Sequence, residues 1–473
     1  MAYPSPYRVA MSSLGYQWVL EQIAARGMSV ERVVLPDDVA EHRRRRVPAQ
    51  SIETFSALSR FPIIAVSLAY ELEIAGLIDL LEISGIPPRR EDRGPDDPVV
   101  LIGGPLTFSN PLPAAPFADA MLLGEAEQTA PDAVEAFYDC DTREAWFDVI
   151  AGLDGGYIPE RDGTRLPPVA RASDEGLPAR SHILTPDAEL SDMFLIEGER
   201  GCHRSCSFCV MRRSTNGGMR LVTPERVLSL VPDEAAKVGL VGAAISDHPR
   251  LVEILEVLVE SGRQVSVSSL RADRVERRPA IARWLRKSGA RTLTVASDGA
   301  SQRLRRTLSK GAVERHLLAA AAITGELGFD VYKVYMMVGL PDEQQADLDE
   351  LIRFSLELRK ATGRTRIALG IAPFVAKRNT PLDGTPYAGI KPVERTLKVL
   401  NRGLRGKVEV RPTSARWAWV EYQLAQGGPE SGEAVLQAVH DGASFADYKR
   451  ALKAVDPATM RPWASQEDPC PSP

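Results

Sequence analysis

The stretch Gly201-Cys202-His203-Arg204-Ser205-Cys206-Ser207-Phe208-Cys209 decides how this chain is read. Its C-x3-C-x2-C spacing places three thiolates on one short loop, enough to hold three irons of a [4Fe–4S] cube, which ordinarily takes four protein cysteines. No fourth cysteine lies within local reach, so one iron would stay open, as catalytic metal sites keep a position for a reactant. A competing reading adds His203 and makes a Cys3His zinc site. Zinc loops usually bring two separated ligand pairs, and the chain has no second C-x2-C and no H-x3-H. Chance is a poor account of the cluster, because three of the five cysteines in 473 residues fall within eight positions.

The remaining composition bounds the class. The length suits two or three domains with ample core. A net charge of -5 carries no overall nucleic-acid signature. Over 263–315, however, fourteen Lys/Arg face four Asp/Glu, a local surplus of ten (14 − 4). Solvated helix faces account for such a run, and so does a basic surface for RNA or another polyanion. The shorter run Arg43-Arg44-Arg45-Arg46 reads as a solvated loop. The start of the chain lacks the basic-then-apolar pattern of a secretory signal. The most apolar stretch, 63–86, is interrupted by Glu71, Glu73, Asp79 and Glu82, so no membrane span is expected. Cys140 and Cys470 look incidental and no disulfide framework emerges. A reducing cytoplasm is the expected compartment.

Along the chain, 1–150 alternates short apolar runs with amphipathic stretches, the pattern of a doubly wound α/β sheet. Strands are expected at 7–11, 30–35, 63–68, 99–103 and 118–123, with helices at 15–26 and 71–85. Composition over 151–190 shifts to Pro, Gly, Arg and Asp without a sustained period, which reads as a linker or strap. From 191 to 392, strand candidates at 194–197, 241–246, 264–269, 292–296, 331–338 and 366–371 alternate with helix-period segments. Thr223-Pro224 caps one of these helices. Six strand–helix steps describe a partial parallel barrel, in which the loops after the strands carry the chemistry. The last part, 393–473, reads as a small helical cap with a Pro-rich tail.

The cysteine loop and the residues after it resemble the signature of the radical S-adenosylmethionine (SAM) enzymes. The resemblance extends to Phe208 before the third cysteine, to Ser297-Asp298-Gly299-Ala300-Ser301-Gln302-Arg303-Leu304, and to Tyr332-Lys333-Val334-Tyr335-Met336-Met337-Val338-Gly339-Leu340-Pro341. It implies a partial (β/α)6 TIM-like barrel whose Cys202, Cys206 and Cys209 hold a [4Fe–4S] cluster. The open iron would chelate SAM, and an electron from the cluster would cleave it to a 5′-deoxyadenosyl radical. Phe208 would pack near the adenine. Relatives place a serine and an arginine where Val265-Ser-Val-Ser-Ser-Leu-Arg271 supplies Ser268 and Arg271; of these Arg271 would meet the SAM carboxylate, since a guanidinium grips a carboxylate with two parallel bonds. A surface ion pair with Asp273 or Glu276 is the plainer role for Arg271. Asp298 stands where relatives place a glutamate on the ribose, one methylene short of it. Ser301 also fits a helix N-cap. Ser246 and Asp247 lie near the place where relatives meet the methionine amino group, and Asp247 with His248 are acid/base candidates. Tyr335 is a candidate on the substrate side. Lys377 and Arg378 fall in another matching stretch.

The first 150 residues resemble the cobalamin-binding domain that precedes the radical SAM barrel in one class of these enzymes. The matching stretches are Met11-Ser-Ser-Leu-Gly15, Val66-Ser-Leu-Ala-Tyr-Glu71, Ile102-Gly-Gly-Pro105 and Gly124-Glu-Ala-Glu127. Ser67, Gly103 and Gly104 would then line the pocket for the nucleotide tail and corrin edge. The D-x-H-x-x-G run of the full cobalamin signature is absent, so a bound corrinoid would have no histidine below its cobalt.

The resemblance therefore implies a radical SAM enzyme, cobalamin-dependent, with methyl transfer to an unactivated carbon as the leading reaction. The alternatives are a cobalamin-free RNA-modifying radical SAM enzyme docking RNA on 263–315, and a non-catalytic metal-binding module. A second-cluster methylthiotransferase is disfavoured, because only Cys140 and Cys470 remain as ligands. Small molecule, peptide or RNA are the expected substrate types, with flavodoxin or ferredoxin as the kind of electron donor.

Overall fold

The computed structural model describes residues 1–211 and 218–464; Cys470 and most of the Pro-rich tail lie outside them. The chain forms two compact units. One comprises Met1–Gly176, Thr185–Ser191 and the segment from Val420 onward; the other comprises Leu177–Leu184 and Asp192–Trp419.

The first unit is built on six short strands: β1 (Ala2–Tyr3), β2 (Val33–Val34), β3 (Ile63–Ser67), β4 (Val99–Gly103), β5 (Ala120–Leu122) and β6 (Gly156–Tyr157). Their order is β2-β1-β3-β4-β5-β6, parallel throughout except for β6 against β5. A parallel sheet is covered on both faces, so its central strands read as unbroken apolar runs. Val99 to Ile102 are accordingly buried without alternation. Against them packs a cluster containing Leu122, Trp146, Phe147 and Ile150. Trp146 spends its one donor on the Ala133 carbonyl at 2.8 Å, which lets an indole sit 1% exposed.

One expected strand is corrected. Residues 7–11 do not extend; Tyr7–Ala10 is a single helical turn, and the first strand is Ala2–Tyr3. Pro6 with ψ 160 turns the chain into that helix, and the buried alternation needed for a strand is missing because Arg8 is exposed. Helices Pro429–His440 and Phe445–Ala454 belong to this unit, and the first of them packs on Glu73–Ile83 and on the turn Leu112–Phe117. Asn110 ties this region down: its Nδ2 donates to the carbonyls of Leu424, Ala425 and Gly427.

The second unit is an open arc of parallel strands, as the alternating pattern predicts. Strands β7 (Met193–Glu197), β10 (Lys237–Val241) and β11 (Gln264–Val267) form one sheet; β12 (Thr292–Asp298), β13 (Val331–Val338), β14 (Arg366–Pro373) and β15 (Glu409–Pro412) form another. A hairpin of β8 (Glu199–Gly201) and β9 (Met219–Leu221) stands between β7 and β10 in the chain. The two sheets join through one parallel bridge, Leu270 to Val295, with Leu270 N donating to Thr294 O at 2.8 Å. The barrel is partial, not closed. Its free edge at β7 is blunted by 177–184, where Ser181 and Glu197 exchange backbone bonds with Leu195 and Ala179.

Helices cover the outside of this arc. In Leu251–Glu260 the buried residues Leu251, Ile254, Leu255 and Leu258 repeat at helical spacing and face the sheet. Ser301 caps Gln302–Thr307 and Thr223 caps Pro224–Ser229, each accepting from the backbone N–H three residues on. The second correction concerns 241–246, expected as a strand. The strand ends at Val241, and Ile245–Asp247 is a 3-10 turn. Gly242 ends it for a steric reason: a Cβ there would fall 2.3 Å from the carboxyl oxygen of Glu199.

Candidate active site

The cysteine loop does not leave β7 directly, as its sequence position suggests. It emerges from β8, whose Gly201 pairs with Met219 of β9, so the hairpin closes the neck of the loop. Above that neck the loop is stitched to three other strand-end segments. Ser207 N donates to Leu308 O at 3.1 Å, and Leu382 N donates to Ser207 O at 3.3 Å. Arg204, between the first two cysteines, grips Asp247 through Nε at 3.0 Å and Nη2 at 2.9 Å. Leu308, Leu382 and Asp247 follow β12, β14 and β10 respectively, so the thiols are presented at the C-terminal end of the arc.

Cys202, Cys206 and Cys209 are free and half-buried. Burial, above all, pushes the Cys202 and Cys209 thiols up; the neighbouring cysteines add to the shift. An apolar seat of that kind disfavours bare thiolates and suits thiolates whose charge a metal centre compensates. Among the described residues no three His, Cys, Asp or Glu side chains converge as one metal ion requires. A cube makes no such demand, because each thiolate takes a different iron. His203 points to solvent and stands 3.7 Å from the Asp247 carboxylate.

Asp247 itself is a fixed anion. Its side chain is wholly buried, and besides Arg204 it accepts from Arg274 Nε, with Arg271 Nε at 3.6 Å. Burial pushes its carboxyl up, but the bonds from Arg274 and Arg204 and the charge of Arg271 outweigh that and hold it below the usual carboxylate range. A carboxylate so held is an anchor for the cysteine loop. His248 is likewise committed. It is buried, its Nε2 meets the Val222 carbonyl at 2.9 Å, and its Nδ1 accepts from Arg250 N at 3.1 Å. Burial, first of all, lowers its pKa.

The other expected ligand residues ring the same strand ends. Ser246 is buried, and its Oγ accepts from Arg271 N at 3.1 Å. Arg271 pairs with Asp273 at 3.0 Å, and both side chains are largely buried. Ser268 is exposed on the segment after β11. Phe208 is half-buried on the loop. Asp298 lies at a register shift between β12 and β13 and takes φ +60, a conformation that aspartate adopts more readily than most residues. The bulge re-aims its carboxyl, which ion-pairs with Lys310.

Sequence reasoning did not single out Glu199. It is 1% exposed; one carboxyl oxygen accepts from Ala244 N at 2.6 Å, and the other has no hydrogen-bond partner among the described residues. Burial, chiefly, pushes its pKa up to about 7. A buried acceptor without a donor, three residues before Cys202, suits a ligand that brings its own N–H groups, as the amino end of SAM does. The only sequence signal was its place between β7 and the first cysteine.

Part of the basic stretch over 263–315 is spent on partners within the unit, while Arg277, Arg283, Arg306 and Arg315 stand exposed. Arg274 binds Asp247, Arg278 binds the Ser246 and His248 carbonyls, Arg291 binds Asp330 and Arg303 binds Asp347, while Arg305 is 1% exposed. A cavity of about 730 Å3 bordered by Gly325, Phe329, Arg364 and Arg366 lies at the N-terminal ends of β13 and β14, the end of the arc away from the thiols.

In the first unit, Ser67, Gly103 and Gly104 meet at the C-terminal ends of β3 and β4. Gly104, with φ +101, lies so close to Leu68 that a Cβ would fall 2.6 Å from its carbonyl oxygen. The chain itself therefore fills that side. Gly103 keeps its face open, with nothing nearer a Cβ than the Leu122 oxygen at 3.7 Å. Residues 11–15 supply a buried Met11 and the helix cap Ser13.

Residues 15–159 match the family described as radical SAM proteins, N-terminal, and residues 196–355 match the radical SAM superfamily. An uncharacterised protein of Methanocaldococcus jannaschii is 27% identical over 394 residues, covering 80% of this chain and 81% of that one. The radical SAM methyltransferase TsrM from Kitasatospora setae, solved with cobalamin and a [4Fe–4S] cluster, superposes with a TM-score of 0.56 at 15% identity, over 83% of this chain and 74% of that one. The cobalamin-dependent radical enzyme OxsB, solved with aqua-cobalamin and SAM, gives 0.53 at 14% identity, over 85% of this chain and 55% of that one. With both of its halves matched and its three cysteines at the mouth of an open parallel arc, the chain belongs to the radical SAM superfamily.

Proposed function

We propose that this protein is a cobalamin-dependent radical SAM enzyme whose leading reaction is methyl transfer to an unactivated carbon. The observation that carries the reading is the cysteine loop, held by backbone and guanidinium bonds to the segments after β10, β12 and β14. When bound, the cluster supplies the electron that cleaves SAM to a 5′-deoxyadenosyl radical, and the corrinoid supplies a methyl group.

The chain's own residues do the rest. Cys202, Cys206 and Cys209 would hold a [4Fe–4S] cluster through three of its irons. Arg204 and Asp247 fix the loop. Glu199 and Ser246 face the amino end of SAM, and Ser268 and Arg271 its carboxylate. Asp298 takes the ribose and Phe208 the adenine. Ser67, Gly103 and Gly104 would receive the corrinoid. Tyr335 lies on the substrate side. Two features support the corrinoid: the open face of Gly103, and a first unit whose fold is shared with TsrM and OxsB, both solved with cobalamin.

The test is an anaerobic inventory of iron, sulfide, cobalt and zinc per chain, followed by assay of 5′-deoxyadenosine from SAM under reductant. Cluster, corrinoid and product together are expected. Protein that makes 5′-deoxyadenosine but never retains cobalt would remove the cobalamin part alone.

A further inference from the structure

On β13 the side chains of Tyr332, Val334, Met336 and Val338 are buried on the helix-covered face, while Lys333, Tyr335 and Met337 occupy the inner face. That inner face is open. Tyr335 is 41% exposed although it stands mid-strand with paired neighbours on both sides. Those neighbours in register are small: Ala296 on β12 and Gly370 on β14. The glycine answers to the tyrosine, since a Cβ on Gly370 would come within 2.9 Å of Tyr335 Cδ1. The aromatic ring therefore lies across β14 as a plate, where any larger residue would push it off.

Lys333 stands over this plate, with Nζ 4.6 Å from the ring centroid and donating to the Tyr335 hydroxyl at 3.1 Å. Among the described residues no carboxylate pairs with it. The next cation across the face differs: Arg411 is held by Glu409 at 2.8 and 2.9 Å. A half-buried ammonium with donors unspent, beside an aromatic plate in a trough of small residues, is half of a recognition pair. Its missing partner is an anion, and the plate sets what lies beside that anion.

Resting on the reading of this arc as a radical SAM barrel, the structure assigns Lys333 and Tyr335 as the seat of an anionic substrate. A carboxylate or a phosphate monoester docks on Lys333 Nζ, and the planar or apolar body of the molecule lies against the Tyr335 ring. Tyr335 stands three residues and Lys333 five residues below Val338, about 10 and 16 Å down the strand from its C-terminal end, a depth suited to a small acid.

The probes are benzoate and phenyl phosphate, with benzamide as the uncharged isostere, titrated calorimetrically into anaerobically reconstituted full-length protein. At least one anion is expected to bind saturably where benzamide does not, and the tighter of the two distinguishes carboxylate from phosphate. Lys333→Met should weaken that binding about tenfold or more, the loss of a hydrogen bond to a charged group, while Lys333→Arg retains it. Tyr335→Leu should weaken it and keep the preference for anions. Thermal unfolding of each variant separates lost binding from lost folding. The seat is overturned by equal binding of benzamide, by no saturable binding of either anion, or by wild-type affinity in a folded Lys333→Met. Formation of 5′-deoxyadenosine is followed separately on the wild type. Its absence beside Lys333-dependent anion binding would sink the radical SAM reading and leave the seat standing; its presence without anion binding would sink only the seat.

Discussion

Arg204 and Asp247 bind each other at 2.9 to 3.0 Å through two guanidinium nitrogens, and that pair fastens the loop carrying Cys202 and Cys206 to the segment after β10. The carboxylate is fully buried, while Arg204 and Arg274 remain partly exposed. Asp247→Asn leaves the Arg204 and Arg274 guanidinium groups without their anion. It should cost about 2 kcal/mol or more, the buried-pair figure discounted for that exposure, and lower iron retained per chain several-fold on reconstitution. Because the Asp247 carboxyl is held below its usual range, its contribution is present above the unfolded value, about pH 4, and is lost as pH falls through the folded one. The gap in melting temperature between wild type and variant should hold above about pH 5 and close in stronger acid.

Glu199 titrates with the opposite sign. Its carboxyl is pushed up from 4.5 to about 7, so the fold favours the protonated form and loses stability as pH rises through that window. In metal-free protein Glu199→Gln should match the wild type near pH 4.5 and gain on it up to about pH 7. The full difference is about 3 kcal/mol. Parallel thermal melts across the window check this; a constant offset would mean that the group is not buried in its acid form.

The first unit holds a buried pair of a simpler kind. Arg93 donates to Asp119 at 2.9 Å with side-chain exposures of 0% and 5%, and the same carboxyl accepts from Val100 N at 2.7 Å. Asp119→Ala strands a guanidinium and a backbone N–H together and should cost about 3–5 kcal/mol. Urea unfolding measures it, and a loss under about 1 kcal/mol would mean that water reaches the site.

Gly104→Ala should also destabilise, by about 2 kcal/mol or more. The position has φ +101, and an added Cβ would meet both the Leu68 oxygen and the Leu68 nitrogen within 2.8 Å. The same substitution at Gly103, whose nearest contact is 3.7 Å away, should leave the melting temperature nearly unchanged and register in cobalt retention.

Much of this architecture was legible in the residues. The apolar runs of β4, β13 and β14 are long, flanked by helical periods, and stand where their patterns put them. The misreadings are local. Residues 7–11 have strand composition, but Pro6 and the exposed Arg8 make them a turn of helix. Residues 241–246 look extended because Gly242 is read as neutral, whereas the glycine exists to admit the Glu199 carboxyl. Neither the hairpin of β8 and β9 nor the role of Asp247 could be read from spacing, since both depend on partners distant in the chain. The arginine surplus over 263–315 was visible; that Arg274 and Arg278 bind a buried carboxylate and backbone carbonyls was not.

The most direct test of the central claim is electron paramagnetic resonance of the reduced, oxygen-free protein with and without SAM. A [4Fe–4S] signal whose shape changes on adding SAM, and which is lost in Cys202→Ala, Cys206→Ala and Cys209→Ala, is the predicted result. A protein that binds zinc in place of iron, or a cluster signal that SAM leaves unmoved, would contradict it.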